Sequence, residues 1–302
     1  MRIAVAATPE VAIPSLDALL ASDHELLCVI TPPDRPSGRG QSLSESAVSG
    51  WGTENGIEVC KPERDASFDS YLANVDVLIT IGYGVILPKR VFELPRYGSL
   101  NLHFSLLPRW RGAAPVQRAI EAGDKVSGVT VFKLDDGMDT GPIYTQNRFA
   151  LDSDITSDEL FVELAELGAE ALLHTLELMK YGVKPTPQEN HSATRALKLS
   201  KEEGRIDWTQ PATAISNKIR AFTSQPGAWT NFRDTTLKID TPVASEITLE
   251  PGVLLLLENK KLYVGTASSA LEIGHITPSG KSRMPSSQWA NGARLIAGDL
   301  FG

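Results

Sequence analysis

The run Val77-Leu78-Ile79-Thr80-Ile81 is short, almost entirely apolar and rich in β-branched side chains. Such a run is typical of a strand buried on both faces, as in a parallel sheet that is covered by helices. Similar runs occur earlier, at residues 3–7 and 26–31, and amphipathic stretches separate them. Strand-like runs follow at residues 100–104 and 129–133. The pattern therefore predicts an α/β fold with a doubly wound, mostly parallel, Rossmann-like sheet.

The second half of the chain has a different pattern. Leucine spacing over residues 156–181 predicts a long helix that closes the first domain. The following stretch contains Lys184-Pro185-Thr186-Pro187 and has no clear period, which predicts an extended linker. Beyond a helix at residues 212–222, about five short segments punctuated by turn residues predict a small antiparallel β-barrel. The predicted divisions are a first domain at residues 1–183, a linker at 184–203 and a second domain at 204–302.

Composition narrows the class of protein. The chain has 302 residues, of which 42% are hydrophobic and 22% are charged, and this excludes a disordered or fibrous protein. No apolar run approaches the roughly 20 residues that span a bilayer, and the first run meets Pro9 too soon for a signal peptide, so we expect a cytosolic protein. Cys28 and Cys60 lack the spacing of a disulfide framework or a zinc site. We expect two buried, reduced thiols and no metal.

The charge is unevenly distributed. The net charge is −8, but residues 1–203 carry −10 and residues 204–302 carry +2. Phosphate contacts depend on local patches and not on the average over a molecule, so this asymmetry leaves room for a polyanionic partner near the second domain.

Ligands of doubly wound sheets bind beyond the carboxyl ends of the strands. The first strand is not followed by Gly-x-Gly-x-x-Gly, and no Gly-Lys-Ser/Thr loop occurs, so dinucleotide and P-loop sites are unsupported. Asn101 and His103 alternate on one predicted strand and therefore share a face. An amide and an imidazole placed together suit acyl chemistry, in which Asn stabilises an oxyanion and His moves protons. The alternative is a histidine that merely satisfies a backbone carbonyl, and spacing does not separate the two interpretations.

A glycine-rich loop also follows a predicted strand. Its sequence, Leu134-Asp135-Asp136-Gly137-Met138-Asp139-Thr140-Gly141, brings three carboxylates to the same edge of the sheet. One of them can turn toward the histidine, fix its tautomer and stabilise its protonated form. Spacing alone does not select among Asp135, Asp136 and Asp139.

Together these motifs resemble those of the methionyl-tRNA formyltransferase family, over almost the whole chain. The motifs include Asn101-Leu102-His103, the turn Ser105-Leu106-Leu107-Pro108, and Asp136-Gly137-Met138-Asp139-Thr140-Gly141. Further matching segments are residues 7–10, 31–40, 83–88, 109–115, 198–208, 219–222 and 226–229.

The resemblance implies a formyl transfer that uses 10-formyltetrahydrofolate, with Asn101, His103 and Asp139 as the catalytic group. Asp139 is then the aspartate that orients His103. The implied folate contacts are Ser105, Leu106, Leu107 and Pro108 in the turn, with Val85, Ile86 and Leu87 as apolar walls. No metal is implied.

The resemblance further implies that initiator methionyl-tRNA is the acceptor and that the enzyme is cytoplasmic and monomeric. Arg35 and Arg39 match the family's loop that enters the acceptor stem, and an OB-like barrel holds the tRNA body. Two lysines often follow in the family, whereas this chain has Gln41 and Ser42, so we expect a less positive loop. Thr223-Ser224-Gln225 likewise stands where Asn-Pro-Trp is common. Arg109, Trp110 and Arg111 suit either a tRNA contact or a brace for the folate turn.

Three alternatives use parts of the same motifs. A formyltransferase acting on an amino sugar nucleotide has the same catalytic residues. A non-catalytic tRNA-binding protein requires only the second domain, and the joint presence of Asn101, His103 and Asp139 argues against it. A formyl-folate hydrolase gives no reason for the second domain or for the arginine loop.

Overall fold

The computed structural model of the protein describes residues 1–37, 42–62 and 68–302. These residues form two compact units, neither of which is continuous along the chain. Unit 1 comprises Met1–Gly112, Val126–Ala150 and Phe161–Arg195, and unit 2 comprises Ala113–Lys125, Leu151–Leu160 and Ala196–Gly302. The expected linker is thus divided, since residues 184–195 pack in unit 1 and residues 196–203 in unit 2. The domain bounds at residues 183 and 203 stay a prediction.

The first half of the chain supplies the strands of unit 1. They are β1 (Arg2–Ala7), β2 (Glu25–Ile30), β3 (Arg35–Ser37), β4 (Ser42–Ser44), β5 (Glu58–Cys60), β6 (Val77–Ile81), β7 (Ser99–His103), β8 (Arg111–Gly112), β9 (Val126–Lys133) and β10 (Ile143–Ala150). Seven of them form a sheet with the order β10-β9-β7-β6-β1-β2-β5. From β7 to β5 neighbouring strands are parallel, whereas β9 and β10 are antiparallel additions. This confirms the predicted α/β fold.

Burial explains which strands the sequence revealed. All five residues of β6 are buried, so its sequence is a continuous apolar run. The edge strand β10 has the sequence Ile-Tyr-Thr-Gln-Asn-Arg-Phe-Ala and is mostly half-buried or exposed, and the sequence analysis missed it. An edge strand contacts the core on one side only, and its polar residues therefore carry no clear strand signal.

The chain contains eight α-helices within the described residues. They are α1 (Ile13–Leu20), α2 (Ala47–Glu54), α3 (Asp69–Leu72), α4 (Lys89–Phe92), α5 (Pro115–Glu121), α6 (Ser157–Lys180), α7 (Ala212–Phe222) and α8 (Ser286–Ala293). The long helix expected at 156–181 is α6. Thr156 and Glu159 form a capping box at its start: Glu159 Oε2 accepts from the Thr156 N–H at 2.9 Å, and the Glu159 N–H donates to Thr156 Oγ1 at 3.3 Å.

Unit 2 is built on an antiparallel sheet. After β11 (Arg195–Ala196), at the boundary of the units, come β12 (Trp229–Phe232), β13 (Thr235–Ala244), β14 (Leu254–Leu256), β15 (Leu262–Val264), β16 (Leu271–Pro278) and β17 (Met284–Pro285). The order is β12-β13-β16-β15-β14, and β17 pairs with β16. Thr241 has a φ of 53°, and a Cβ on neighbouring Gly274 would lie 2.8 Å from Thr241 Oγ1, so glycine is needed at this irregularity. The sheet is curled, which confirms the predicted C-terminal antiparallel architecture.

The sequence analysis missed α8. Its sequence, Ser-Ser-Gln-Trp-Ala-Asn-Gly-Ala, has too few apolar residues to show a helical period. Trp289 nevertheless packs edge-on against Phe232, with ring centroids 5.1 Å apart, and against Phe301 at 5.6 Å. These aromatic contacts in unit 2 explain why the segment is ordered as a helix.

Two further expectations concern the whole chain. Cys28 and Cys60 are free and buried, as predicted. Across residues 1–37, 42–62 and 68–302, none of the helices has both the length and the apolar character required to span a membrane.

Candidate active site

Strand β7 places Asn101 and His103 in the interior of the unit 1 sheet. Asn101 lies opposite Thr80 of β6 and Phe132 of β9, and His103 lies opposite Thr130. Being two residues apart on a strand, the two side chains point to the same face. The Thr80 hydroxyl donates to Asn101 Oδ1 at 2.7 Å. The amide is thereby oriented, and its NH₂ group is the end that remains able to donate to a ligand.

His103 is held in one orientation by the backbone. The side chain is 6% exposed, and its Nε2–H donates to the Trp110 carbonyl at 2.9 Å. A carbonyl accepts only, so the neutral imidazole carries its proton on Nε2 and a lone pair on Nδ1. Burial lowers the pKa of His103 below its ordinary value of 6.5, while the Asp139 carboxylate and the Trp110 carbonyl act in the opposite direction.

Asp139 is the carboxylate that the structure brings to the imidazole. Its Oδ2 lies 3.7 Å from His103 Nδ1 and accepts from the Gly112 N–H at 2.8 Å. At 3.7 Å the two groups do not share a hydrogen bond, yet the carboxylate stabilises a proton taken up on Nδ1. The expected relation therefore changes in one respect: the Trp110 carbonyl fixes the tautomer, and Asp139 acts on the protonated form.

The other two aspartates of the loop have different partners. Asp135 Oδ1 accepts from the Gly137 N–H at 3.1 Å and from the Thr140 hydroxyl at 2.7 Å, so it braces its own loop. Asp136 forms an exposed ion pair with Lys89 at 2.9 Å. The structure thus separates three carboxylates that the sequence left equivalent.

The turn from Ser105 to Pro108 follows β7 and is held by hydrogen bonds from side chains of β9 and β10. Thr130 Oγ1 donates to the Ser105 carbonyl at 2.6 Å and accepts from the Leu107 N–H at 3.1 Å. Gln146 Nε2 donates to the Leu107 carbonyl at 2.7 Å. Ser105 and Leu107 are buried, whereas Leu106 and Pro108 are half-buried. Leu106 and Pro108 are therefore the members of the turn with surface available to a ligand.

The predicted apolar walls lie on the loop after β6. Val85 and Ile86 are 43% and 83% exposed, whereas Leu87 is 8% exposed and belongs to the hydrophobic core together with Tyr83 and Val91. Val85 and Ile86 thus offer apolar surface to a ligand, while Leu87 supports the loop from within. Their roles as folate contacts stay a prediction.

The predicted tRNA-binding arginines, Arg35 and Arg39, follow β2 in the sequence. Arg39 is outside the described residues, and the backbone of Arg35 begins β3, which pairs with β4. Asp34, the residue before Arg35, is held within unit 1, because Lys61 Nζ contacts its Oδ1 at 2.7 Å.

Sequence reasoning missed the groups that hold His103 and Asp139. The Trp110 carbonyl and the Gly112 N–H are backbone groups, which leave no signal in side-chain spacing. Residues Gln188 and Thr194 lie in the expected linker but pack on this site: Thr194 Oγ1 accepts from the Trp110 N–H at 2.9 Å. Within the described residues, no cluster of three His, Cys, Asp or Glu side chains is arranged to hold a metal ion.

A doubly wound sheet that presents an amide, a buried imidazole and a facing carboxylate suits an enzyme that transfers an acyl group. The family model described as formyl transferase matches residues 1–176, and that of the formyl transferase C-terminal domain matches residues 198–294. The chain is 43% identical over 308 residues to the methionyl-tRNA formyltransferase of Salinispora tropica, covering 100% of both chains. It is 43% identical over 309 residues to that of Thermobifida fusca, covering 100% of this chain and 99% of the relative. The chain belongs to the methionyl-tRNA formyltransferase family.

Solved structures are similar in fold at lower sequence identity. HypX from Aquifex aeolicus in complex with tetrahydrofolic acid superposes with a TM-score of 0.64 at 20% identity, over 96% of this chain and 46% of that one. The chain therefore spans about half the length of HypX. Methionyl-tRNA formyltransferase from Clostridium thermocellum gives a TM-score of 0.60 at 20% identity, over 90% of this chain and 98% of that one. At these identities the likeness shows the fold alone.

Proposed function

We propose that the protein transfers the formyl group of 10-formyltetrahydrofolate to the α-amino group of methionyl initiator tRNA, in the cytoplasm and as a monomer. The observation that carries the proposal is that Asp139, from the loop after β9, lies 3.7 Å from His103. Asn101 lies beside His103 on strand β7. The exposed apolar side chains of Val85 and Ile86 suit the pterin ring, and the Asn101 NH₂ suits a formyl oxygen.

Asn101, His103 and Asp139 each have a separate role in the transfer. An α-amino group has a pKa near 8, so about a tenth is neutral at pH 7 and able to attack the formyl carbon without a covalent enzyme intermediate. As the new C–N bond forms, Asn101 donates to the oxyanion. His103 Nδ1 accepts the proton that the amine loses, and Asp139 stabilises the resulting imidazolium. The imidazolium returns this proton to N10 as the bond from N10 to the formyl carbon breaks.

A direct assay tests this function. The purified chain is mixed with 10-formyltetrahydrofolate and initiator methionyl-tRNA, and N-formylmethionine is measured by chromatography after hydrolysis of the ester. A parallel reaction replaces the tRNA with an amino sugar nucleotide. We expect formylation of the tRNA alone; formylation of the sugar alone would contradict the proposed acceptor.

The acceptor loop provides a second test. We expect Arg39→Ala to raise the KM for methionyl-tRNA and to flatten its dependence on salt, because each phosphate contact contributes to the salt slope. The same change at Arg148, an exposed arginine of β10, serves as the control. Kinetics of Arg39→Ala that match those of the control at every salt concentration would remove Arg39 from tRNA binding.

A further inference from the structure

Gln188 connects the expected linker to the loop that carries Asp139. Its Nε2 donates to the Asp139 carbonyl at 2.9 Å and to the Gly141 carbonyl at 2.7 Å. Asp139 has a φ of 56°, a left-handed conformation that is unfavourable for a residue other than glycine. A conformation of this kind persists only where neighbouring groups hold it, and Gln188 grips the backbone on both sides of Thr140.

The orientation of the Gln188 amide is fixed from its other end. Gln188 Oε1 accepts from Arg111 Nε at 3.1 Å and from Arg111 Nη2 at 2.7 Å. A guanidinium only donates, so the amide oxygen must face Arg111 and the NH₂ must face the two carbonyls. Arg111 Nη2 also donates to Asn190 Oδ1 at 2.9 Å, which completes a fixed position for the guanidinium.

These contacts form a ring of linked residues that includes His103 and Asp139 of the candidate active site. Arg111 precedes Gly112, whose N–H donates to Asp139 Oδ2 at 2.8 Å, and it follows Trp110, whose carbonyl accepts from His103. One side of the ring therefore holds the Asp139 carboxylate and the His103 imidazole, and the other side is Gln188. All of these residues lie in unit 1. The ring also assigns Arg111 to bracing the site.

We infer that Gln188 is a positioning residue, which sets the separation of the Asp139 carboxylate and the His103 imidazole. The inference rests on the proposed function for the assignment of these two groups to catalysis. Gln188 does not touch the reacting atoms; it acts through the backbone of residues 139–141. A displacement of about 1 Å at such a site typically costs up to about 10²-fold in rate.

Two substitutions separate this role from general stabilisation. Gln188→Glu keeps an acceptor for Arg111 but places a carboxylate oxygen against the two carbonyls, so the link to Arg111 survives and the grip on residues 139–141 is lost. Gln188→Leu removes both. The control is Gln210→Leu, since among the described residues the hydrogen-bond partner of the Gln210 side-chain amide is Asp207, at 3.0 Å in unit 2. We expect kcat to fall about 10- to 100-fold in both Gln188 variants, with the KM values for folate and methionyl-tRNA within about twofold of wild type.

A spectroscopic readout makes the test independent of activity. Among the described residues, Asp139 is the charged group that acts on the titration of His103. Displacement of its carboxylate should therefore lower the imidazole pKa, which is followed by NMR of ¹⁵N-labelled histidine in the full-length chain. Gln188→Glu brings in a carboxylate of its own, which would raise the pKa of a nearby imidazole, so the titration is followed in the uncharged Gln188→Leu. The inference holds if both variants lower kcat, Gln188→Leu lowers this pKa, and the thermal midpoint of Gln188→Glu stays near that of wild type. An unchanged His103 titration, or equal changes of kcat, KM and thermal midpoint, overturns it. If the wild type itself fails to formylate tRNA, the proposed function fails, and the titration still decides the role of Gln188.

Discussion

Each unit of the molecule contains a polar network, and the two networks differ in how completely their charges are paired. The Arg118 cluster of unit 2 comprises Arg118, Glu121, Glu203 and Lys218. Arg118 contacts both carboxylates at 2.8 Å, and Lys218 Nζ contacts Glu121 at 3.0 Å. In the His103–Asp139 centre of unit 1 the imidazole and the carboxylate lie 3.7 Å apart.

The difference separates a structural network from a chemical one. The charged groups of the Arg118 cluster pair with one another and with nearby backbone groups, such as the Leu197 carbonyl and the Ser200 N–H, so their hydrogen bonds join segments of unit 2. At the His103–Asp139 centre the partners are backbone groups, the Trp110 carbonyl and the Gly112 N–H. These hold each side chain in place, and at 3.7 Å no hydrogen bond joins Nδ1 to the facing carboxylate. A polar group that is fixed in position but not fully bonded remains available to a substrate.

Asn101→Ala should have the largest effect on activity, because it removes the amide that donates to the oxyanion at the unit 1 site. Loss of one oxyanion donor typically costs about 10²- to 10³-fold in kcat, and we expect a loss of that size. The Thr80 hydroxyl keeps the Leu100 carbonyl as an acceptor at 3.1 Å, so the fold should survive. Steady-state kinetics measure the effect, with circular dichroism as the folding control. Near-full turnover would remove Asn101 from catalysis.

Two buried threonines of unit 1 separate an effect on stability from an effect on the predicted folate turn. Thr130→Val removes the hydrogen-bond partner of the Ser105 carbonyl and of the Leu107 N–H, at a cost of about 1–3 kcal/mol in unfolding free energy, while Gln146 keeps the Leu107 carbonyl. We expect it also to raise the folate KM, since these groups shape the predicted folate turn. Thr145→Val is the matched control, because within the part of the chain that the structure describes the Thr145 hydroxyl bonds to Thr175 and the Ala171 carbonyl and not to the folate turn. Denaturant unfolding and folate kinetics on both variants test this, and an equal folate KM would contradict it.

The two networks should also respond to acid in different pH windows. Burial keeps the pKa of folded His103 below 6.5, so the unfolded chain binds its proton first and stability falls as the pH drops below about 6.5, by at most about 1.4 kcal/mol per pH unit. Arg118 lowers the pKa of Glu203 below 4.5, so that contribution is present above about pH 4.5 and is lost as the pH falls through the folded value. Urea unfolding from about pH 7.5 to about pH 2.5 covers both windows, with His103→Gln and Glu203→Gln as paired variants. The prediction fails if His103→Gln leaves the slope between pH 6.5 and 5 unchanged.

Arg118→Leu should have the mildest consequence. The pairs are partly exposed, and Glu121 keeps Lys218 as a partner, so we expect a loss of about 1 kcal/mol in unfolding free energy that shrinks at high salt. Turnover should stay within about twofold of wild type, because the cluster belongs to unit 2 and is fully paired. Unfolding at low and high salt together with kcat measures this. A loss of turnover as large as that of Asn101→Ala would erase the distinction between the two networks.

The parts of the site that the sequence revealed are those encoded by a local pattern. Asn101 and His103 follow from alternation on one apolar strand, and the family motif marked Asp139. The roles of Asp135 and Asp136 were not separable, because a carboxylate in a flexible loop sequence has no preferred direction until its partners are known. Thr140 and Lys89 supply those partners. The edge strand β10 and helix α8 escaped detection for a related reason, since their apolar contacts are few and depend on distant residues.

The parallel sheet, the long helix α6 and the antiparallel second half could be predicted from the sequence, because each rests on a repeated pattern of side chains along a continuous segment. Family membership could also be predicted, because its motifs are short and local. It took the folded structure to show that Gln188 of the expected linker bonds to the Asp139 loop, that a backbone carbonyl selects the tautomer of His103, and that Leu87 belongs to the core. These features arise from contacts between segments far apart in the chain and from backbone groups that every residue possesses. Such contacts exist only once the chain has folded, and no local pattern encodes them.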